Sequence, residues 1–264
     1  MNSGKNLFCG IDIGSRTGKI VLIDRTGTIV FSAMIKTVAS AVKTYNKLIE
    51  TIPEELKNRI YASTVTGYGR ESTAAMCDFS ATEITCHYMG VLSAHPGIKT
   101  IIDIGGQDSK VITVDSNGRI KDFAMNDRCA AGTGRFLEVM TERIGFSMED
   151  FAALDISGVE PVKINSTCTV FAESEVISMV SRDIPQIVIA SSLARMVAAN
   201  TFFMARKTRP EQPFFMSGGV SKLAPVRFHL EKFFGSTIKT DNNSQLMGAF
   251  GAALFTIKKG DFHG

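Results

Sequence analysis

Apolar and polar positions follow two regimes along the chain. In the first, short β-branched runs end on an acidic residue and a glycine. Ile11-Asp12-Ile13-Gly14 is followed by KIVLID at 19–24, and Ile102-Asp103-Ile104-Gly105 by KVITVD at 110–115. Such runs, separated by small and polar residues, predict strands joined by tight turns. Second turns follow at Arg25-Thr26-Gly27 and Ser116-Asn117-Gly118. A strand IYASTV runs into the turn Thr66-Gly67-Tyr68-Gly69-Arg70, and a strand opened by Pro213 runs into Gly218-Gly219-Val220. In the second regime the spacing is helical. Phe136, Leu137, Met140 and Ile144 fit one helix face, and Val170, Phe171, Val176, Ile177 and Val180 fit less regularly. Ile187–Arg206 reads as a long core helix, and Leu246–Ala253 as a closing helix with small residues for tight packing. The stretch Ala74–Phe79 looks helix-like, and Thr208–Pro213 reads as a surface connection.

The two strand–turn–strand units are copies of each other. Residues 11–31 and 102–122 align without a gap at an offset of 91, with 8 of 21 positions identical. Duplication of a glycine turn has a chemical use. Backbone N–H groups can approach phosphate oxygens where no Cβ intervenes. Two such turns can hold β- and γ-phosphates from both sides, and a carboxylate at each strand end, Asp12 and Asp103, can orient water on a bridging Mg²⁺. One copy alone would read equally well as a strand ending in a turn. Two copies with the later Gly218-Gly219 point to a nucleotide. No G-x-G-x-x-G or Walker A loop is present. The arrangement resembles the superfamily of actin, the sugar and acetate kinases and the heat-shock ATPases, which implies an α/β fold of two lobes built on duplicated mixed sheets, with ATP in the interlobe cleft. That resemblance divides the chain into a first lobe at 1–98, a second lobe at 99–247 with the second phosphate loop and the adenosine motif, and a closing helix at 248–264 packing back on the first lobe.

Charge narrows the partners. With 29 basic and 26 acidic residues the net charge is +3, which gives no electrostatic case for nucleic acid or an anionic membrane. No run approaches the ~18 apolar residues of a membrane span, and MNSGKNLFCG lacks the apolar stretch of a signal peptide. The expectation is a cytoplasmic, soluble protein. The cysteines Cys9, Cys77, Cys86, Cys129 and Cys168 are odd in number and contain no C-x-x-C, which argues against a disulfide framework. Cys9 and Cys77 read as core, and the Cys86-His87 pair is too little for a metal site.

Cys129 and Cys168 stand apart. Each precedes a helix-like segment with small and hydroxylic residues around it, so each falls at or before a helix N-terminus, where partial positive charge stabilises thiolate and other anions. Spacing alone leaves two readings open, ordinary buried cysteines or ligands. As ligands they number two, while a [4Fe–4S] cluster takes four. A cluster on a two-fold axis would draw both from each of two subunits, which makes a homodimer.

The segments NDRCAAGTGRFLEVM and STCTVFAESEVIS resemble the signatures of activators (component A) of 2-hydroxyacyl-CoA dehydratases, a family that includes the ATP-binding subunits of benzoyl-CoA reductases. The resemblance implies an ATPase carrying one bridging [4Fe–4S] cluster on Cys129 and Cys168. It also implies an electron source such as ferredoxin or flavodoxin, an acceptor dehydratase or reductase with its own iron–sulfur clusters, and a place in anaerobic metabolism. Asp103 and Gln107 would position the attacking water. Asp12, Gly14, Ser15, Arg16, Thr17, Gly18 and Lys19 of the first loop, Gly105, Gly106 and Gln107 of the second, and Gly218, Gly219 and Gln245 would contact ATP–Mg²⁺. Lys19 and Lys110 would reach phosphate or stay solvated. The first loop departs from the family pattern, in which a Thr would follow Ser15 where Arg16 stands and a smaller residue would come two places on, and Arg128 stands where lysine is usual. The competing expectations are a small-molecule kinase of the same fold, which needs no paired cysteines, and an ATP-dependent scaffold without hydrolysis.

Overall fold

In a computed structural model the described residues are 4–127, 132–164 and 169–260. In chain order the elements are β1 (Leu7–Ile13), β2 (Thr17–Ile23), β3 (Ile29–Lys36), α1 (Ala41–Glu50), α2 (Glu54–Lys57), β4 (Ile60–Thr66), α3 (Arg70–Thr73), β5 (Phe79–Ser80) and α4 (Glu83–Ala94). There follow β6 (Thr100–Ile104), β7 (Ser109–Val114), β8 (Ile120–Asn126), α5 (Gly134–Arg143), α6 (Met148–Ala152), α7 (Thr169–Ser181) and α8 (Gln186–Ala205). The chain closes with β9 (Phe214–Ser217), α9 (Ala224–Phe234), β10 (Ile238–Lys239) and α10 (Met247–Gly260). By contacts the chain forms two compact units. One takes residues up to Gly97 together with those from Gln245 onward, and the other is Ile98–Ser244.

The two units share one sheet plan. The first sheet runs β3-β2-β1-β4-β5 and the second β10-β9-β6-β7-β8. In each, the hairpin strands pair antiparallel and the later strands pair parallel, so both sheets are mixed. The innermost strands β1 and β6 are buried at every position, as continuous apolar runs covered on both faces should be. Edge strand β3 instead alternates between half-buried and exposed. The aspartates at the second turns are identical for a structural reason. Asp24 Oδ1 accepts N–H groups of Thr26 and Thr28 at 2.8 and 3.0 Å, and Asp115 Oδ1 those of Asn117 and Arg119, both at 2.8 Å. These bonds favour the ionised carboxylate. The Thr26 hydroxyl foremost holds Asp24 below its ordinary range, and the Arg119 N–H foremost does so for Asp115.

In the first unit α10 lies directly on β1 and α4. A Cβ at Gly10 would collide with Ala249 and Ala253, and one at Gly251 with Cys86. The small residues read from the sequence therefore allow backbone-to-backbone packing. In the second unit Phe136, Leu137, Met140 and Ile144 of α5 join one core with Ala172, Val176 and Met179 of α7.

The structure bears on three sequence readings here, and only the helix-like reading around Cys77 is overturned. The less regular apolar set of α7 divides between two faces: Val176 is core, but Phe171, Ile177 and Val180 are exposed. Cys77 follows a single 3₁₀ turn at Ala74–Met76 in extended backbone rather than lying in a helix. Finally, Gln186–Thr208 is long and apolar enough to cross a membrane by length and composition. Serines, Arg195 and Asn200 interrupt its apolar run, and Ile189, Leu193, Met196 and Val197 are buried in the second core, so α8 is placed as a core helix.

Candidate functional site

Each hairpin carries a carboxylate paired with a lysine across the strands. Asp12 faces Lys19 in the β1–β2 register, and Asp103 faces Lys110 in the β6–β7 register. Lys19 Nζ lies 3.3 Å from Asp12 Oδ2, with the two side chains 13% and 8% exposed. Lys110 Nζ lies 3.6 Å from Asp103 Oδ2 and 2.6 Å from Asp108 Oδ2. Lys110 is 2% exposed, so it is a buried cation between two carboxylates and does not stay solvated. The turns themselves close in the same way: Gly14 N–H donates to Thr17 O at 3.2 Å, and Gly105 N–H to Asp108 O at 2.9 Å. Arg16 and Gln107, at equivalent places, are exposed at the two tips.

The duplication extends further than the hairpins. Thr66 at the end of β4 pairs with Asp12, and Ser217 at the end of β9 pairs with Asp103. The next residue is a glycine with positive φ in both cases, Gly67 at 96° and Gly218 at 82°, a conformation that L side chains resist. A Cβ would come within 2.5 Å of Asp12 Oδ1 at Gly67 and within 2.6 Å of Asp103 Oδ1 at Gly218. Glycine is thus needed twice over, for backbone and for space. Sequence reading separates these two glycines into a turn and an adenosine motif. Their shared signal is a hydroxyl residue followed by glycine at a strand end. Gly218 N–H donates to Ser244 O at 3.2 Å, just before Gln245 in the turn that leads to α10.

The second hairpin is also bonded to the segment that follows Cys129. Gly134 N–H donates to Gly105 O and Arg135 N–H to Gly106 O, each at 2.9 Å. Ser109 Oγ donates to Gly132 O at 2.6 Å. The first N–H groups of α5 therefore find acceptors in the phosphate-type turn, and Gly134 admits the turn closely, since a Cβ there would stand 3.0 Å from Gly105 O.

These residues fit ATP–Mg²⁺. Mg²⁺ carried by a nucleotide takes one or two carboxylates and keeps several waters, and each hairpin by itself sets one carboxylate, Asp12 or Asp103, in glycine backbone. Among the described residues no cluster of three or more His, Cys, Asp or Glu forms a metal site of another kind. Cys129 and Cys168 lie outside the described residues. The remaining three cysteines are poor thiolate donors. Burial pushes the Cys9 thiol far up and Cys86 up to about 12, and it also raises Cys77.

Comparison with known proteins gives the family. An (R)-2-hydroxyglutaryl-CoA dehydratase activating ATPase from Acidaminococcus fermentans is 39% identical over 254 residues, covering 95% of this chain and 96% of the relative. The solved activator of the 2-hydroxyisocaproyl-CoA dehydratase from Clostridium difficile, with bound ADPNP, superposes with a TM-score of 0.90 at 34% identity over 97% of this chain and 96% of that one. A ROK family glucokinase from Streptomyces griseus, 15% identical with a TM-score of 0.62 over 96% and 99% of the two chains, shares the fold alone. Residues 9–256 match the BadF/BadG/BcrA/BcrD ATPase family, and the chain belongs to it.

Proposed function

We propose that this ATPase is an electron-transfer activator that delivers a low-potential electron to an iron–sulfur 2-hydroxyacyl-CoA dehydratase or a related reductase. The observation that carries the reading is the pair of carboxylate–lysine hairpins, one of which is bonded to the segment after Cys129. N–H groups of Gly14–Lys19 and Gly105–Gln107 bind the phosphates of ATP. Asp12 orients water in the Mg²⁺ shell. Asp103, fixed by Lys110 and Ser217, and Gln107 orient the attacking water. Gly218, Gly219 and Gln245 serve the adenosine side. Cys129 and Cys168 from each of two copies hold one [4Fe–4S] cluster, and one-electron carriage is the chemistry that group supplies when bound. The exposed Phe171, Ile177 and Val180 of α7, next in sequence to Cys168, support coverage of this face by a second copy.

The coupling follows from the hydrogen bonds. Loss of the γ-phosphate alters the turn at Gly105 and Gly106, and Gly134 and Arg135 are bonded to those two carbonyls. The amino end of α5 then shifts with the turn, and with it the setting of Cys129. Electron delivery to a poor acceptor is uphill, and each ~1.4 kcal/mol drawn from hydrolysis is worth tenfold in the equilibrium constant. A reduced ferredoxin or flavodoxin in the cytoplasm is the donor. The test is reconstitution with reductant and an acceptor dehydratase: turnover should require ATP and stop with a non-hydrolysable analogue. A colourless protein that consumes ATP only with a small hydroxyl substrate would instead make it a kinase.

A further inference from the structure

The first hairpin holds its carboxylate differently from the second. Asp103 Oδ1 accepts a hydrogen bond from Ser217 Oγ at 3.0 Å. Thr66 stands in the equivalent place beside Asp12. Its Oγ1, however, is buried and has no hydrogen-bond partner among the described residues. The Cys86 thiol is beside it but makes no bond of ordinary geometry. Asp12 therefore lacks the hydroxyl support that its counterpart has.

A different side chain approaches Asp12, from α4. A Cβ at Gly248 would stand 2.9 Å from His87 Nε2 and 3.1 Å from Asp12 Oδ2. The two atoms flank one glycine in the first turn of α10, a placement that one bridging water can span. His87 is 5% exposed and Asp12 6%. The imidazole is also set by rigid backbone. Thr82 caps α4 by accepting the Thr85 N–H at 3.2 Å, and a Cβ at Gly90 would collide with Met247 O of α10. Lys19 Nζ reaches the same Asp12 oxygen at 3.3 Å. Oδ2 is thus approached by an ammonium on one strand and an imidazole on a helix, while Oδ1 rests against Gly67.

We propose that His87 is a positioning residue for Asp12: its Nε2–H holds Oδ2 through a bridging water and so sets the carboxylate's orientation toward the water shell of nucleotide-bound Mg²⁺. The proposal rests on the reading of Asp12 as a metal-shell group. Partners that orient a ligating carboxylate are worth about 10–100-fold in metal affinity or activity. They act on the metal and not on the nucleotide alone.

The experiment uses the full chain, purified anaerobically, with ADP and Mg²⁺ as probes. ADP binding is measured by calorimetry with and without Mg²⁺, together with the Mg²⁺ dependence of ATP hydrolysis. His87→Leu should raise the Mg²⁺ requirement about 10–100-fold and leave metal-free ADP binding at the native value. His87→Gln, whose amide N–H falls near the Nε2 position, should restore most of the loss. An unchanged Mg²⁺ requirement in His87→Leu, equal losses in the Gln and Leu variants, or a parallel loss of metal-free binding would each overturn the proposal. If His87→Leu does not fold, His87→Asn, too short to reach Asp12, is read the same way. Asp12→Asn separates the two levels. If it leaves the Mg²⁺ requirement unchanged, the reading of Asp12 fails and the proposal with it. If it raises the requirement while His87→Leu does not, the role of His87 alone fails.

Discussion

Lysine set against aspartate at the root of each hairpin is the smallest unit of the chemistry. Lys110 is the more buried of the two lysines, and it lies between Asp103 and Asp108. Removing one partner of such a buried set costs roughly 3–5 kcal/mol, because the remaining charge is stranded. The cysteines divide by the same environmental logic. Burial keeps Cys9, Cys77 and Cys86 protonated well above neutral pH, and thiols in that state do not react. Iodoacetamide on folded, cluster-free protein at pH 8 should therefore modify Cys129 and Cys168 and spare the other three, as read by peptide mass. Equal labelling of all five would contradict the division. Asp12, Lys19, Asp103 and Lys110 are legible in the sequence because duplication repeats them at one offset. His87 and Gly248 are not. They meet Asp12 only through the packing of α4 on α10, a relation that no local spacing encodes.

Among elements, the hairpins are the part that local pattern specifies best. β1, β2, β6 and β7 have β-branched runs, turn residues and a second copy, and all three agree. The [Ser/Thr]-Gly ends of β4 and β9 carry the same duplication, but only two residues match in kind, and Thr66-Gly67 and Ser217-Gly218 align only once the parallel pairing is known. Helix α7 is read as a less regular helix because its apolar residues divide: Phe171, Ile177 and Val180 are exposed, whereas the core takes Ala172, Val176 and Met179. The glycine ends give a mutational test. Gly118→Ala, at φ 71° with nothing within 4 Å of its Cβ, should cost the left-handed backbone about 1–2 kcal/mol and no more. Gly218→Ala must also displace the Asp103 carboxylate. Its melting temperature should fall further, and its affinity for Mg²⁺–ADP should drop while that of Gly118→Ala stays native. Equal affinities in the two variants would mean that the Asp103 cradle does not serve the nucleotide.

At the scale of the whole molecule, two units of one plan belong to an ATPase family, and the proposed function adds a second copy of the chain. The requirement comes from ligand number. In that proposal one chain supplies Cys129 and Cys168, and a [4Fe–4S] cluster takes four thiolates. Two chains complete the set, and the exposed apolar side chains of α7 offer a surface that a second copy would cover. The most direct measurement is iron per chain in anaerobically purified protein of known oligomeric mass, alongside Cys129→Ser. The prediction is a brown dimer with about four iron atoms per two chains, and a colourless Cys129→Ser variant that still binds Mg²⁺–ADP. Iron retained in Cys129→Ser, or a colourless native protein that remains monomeric, would contradict it.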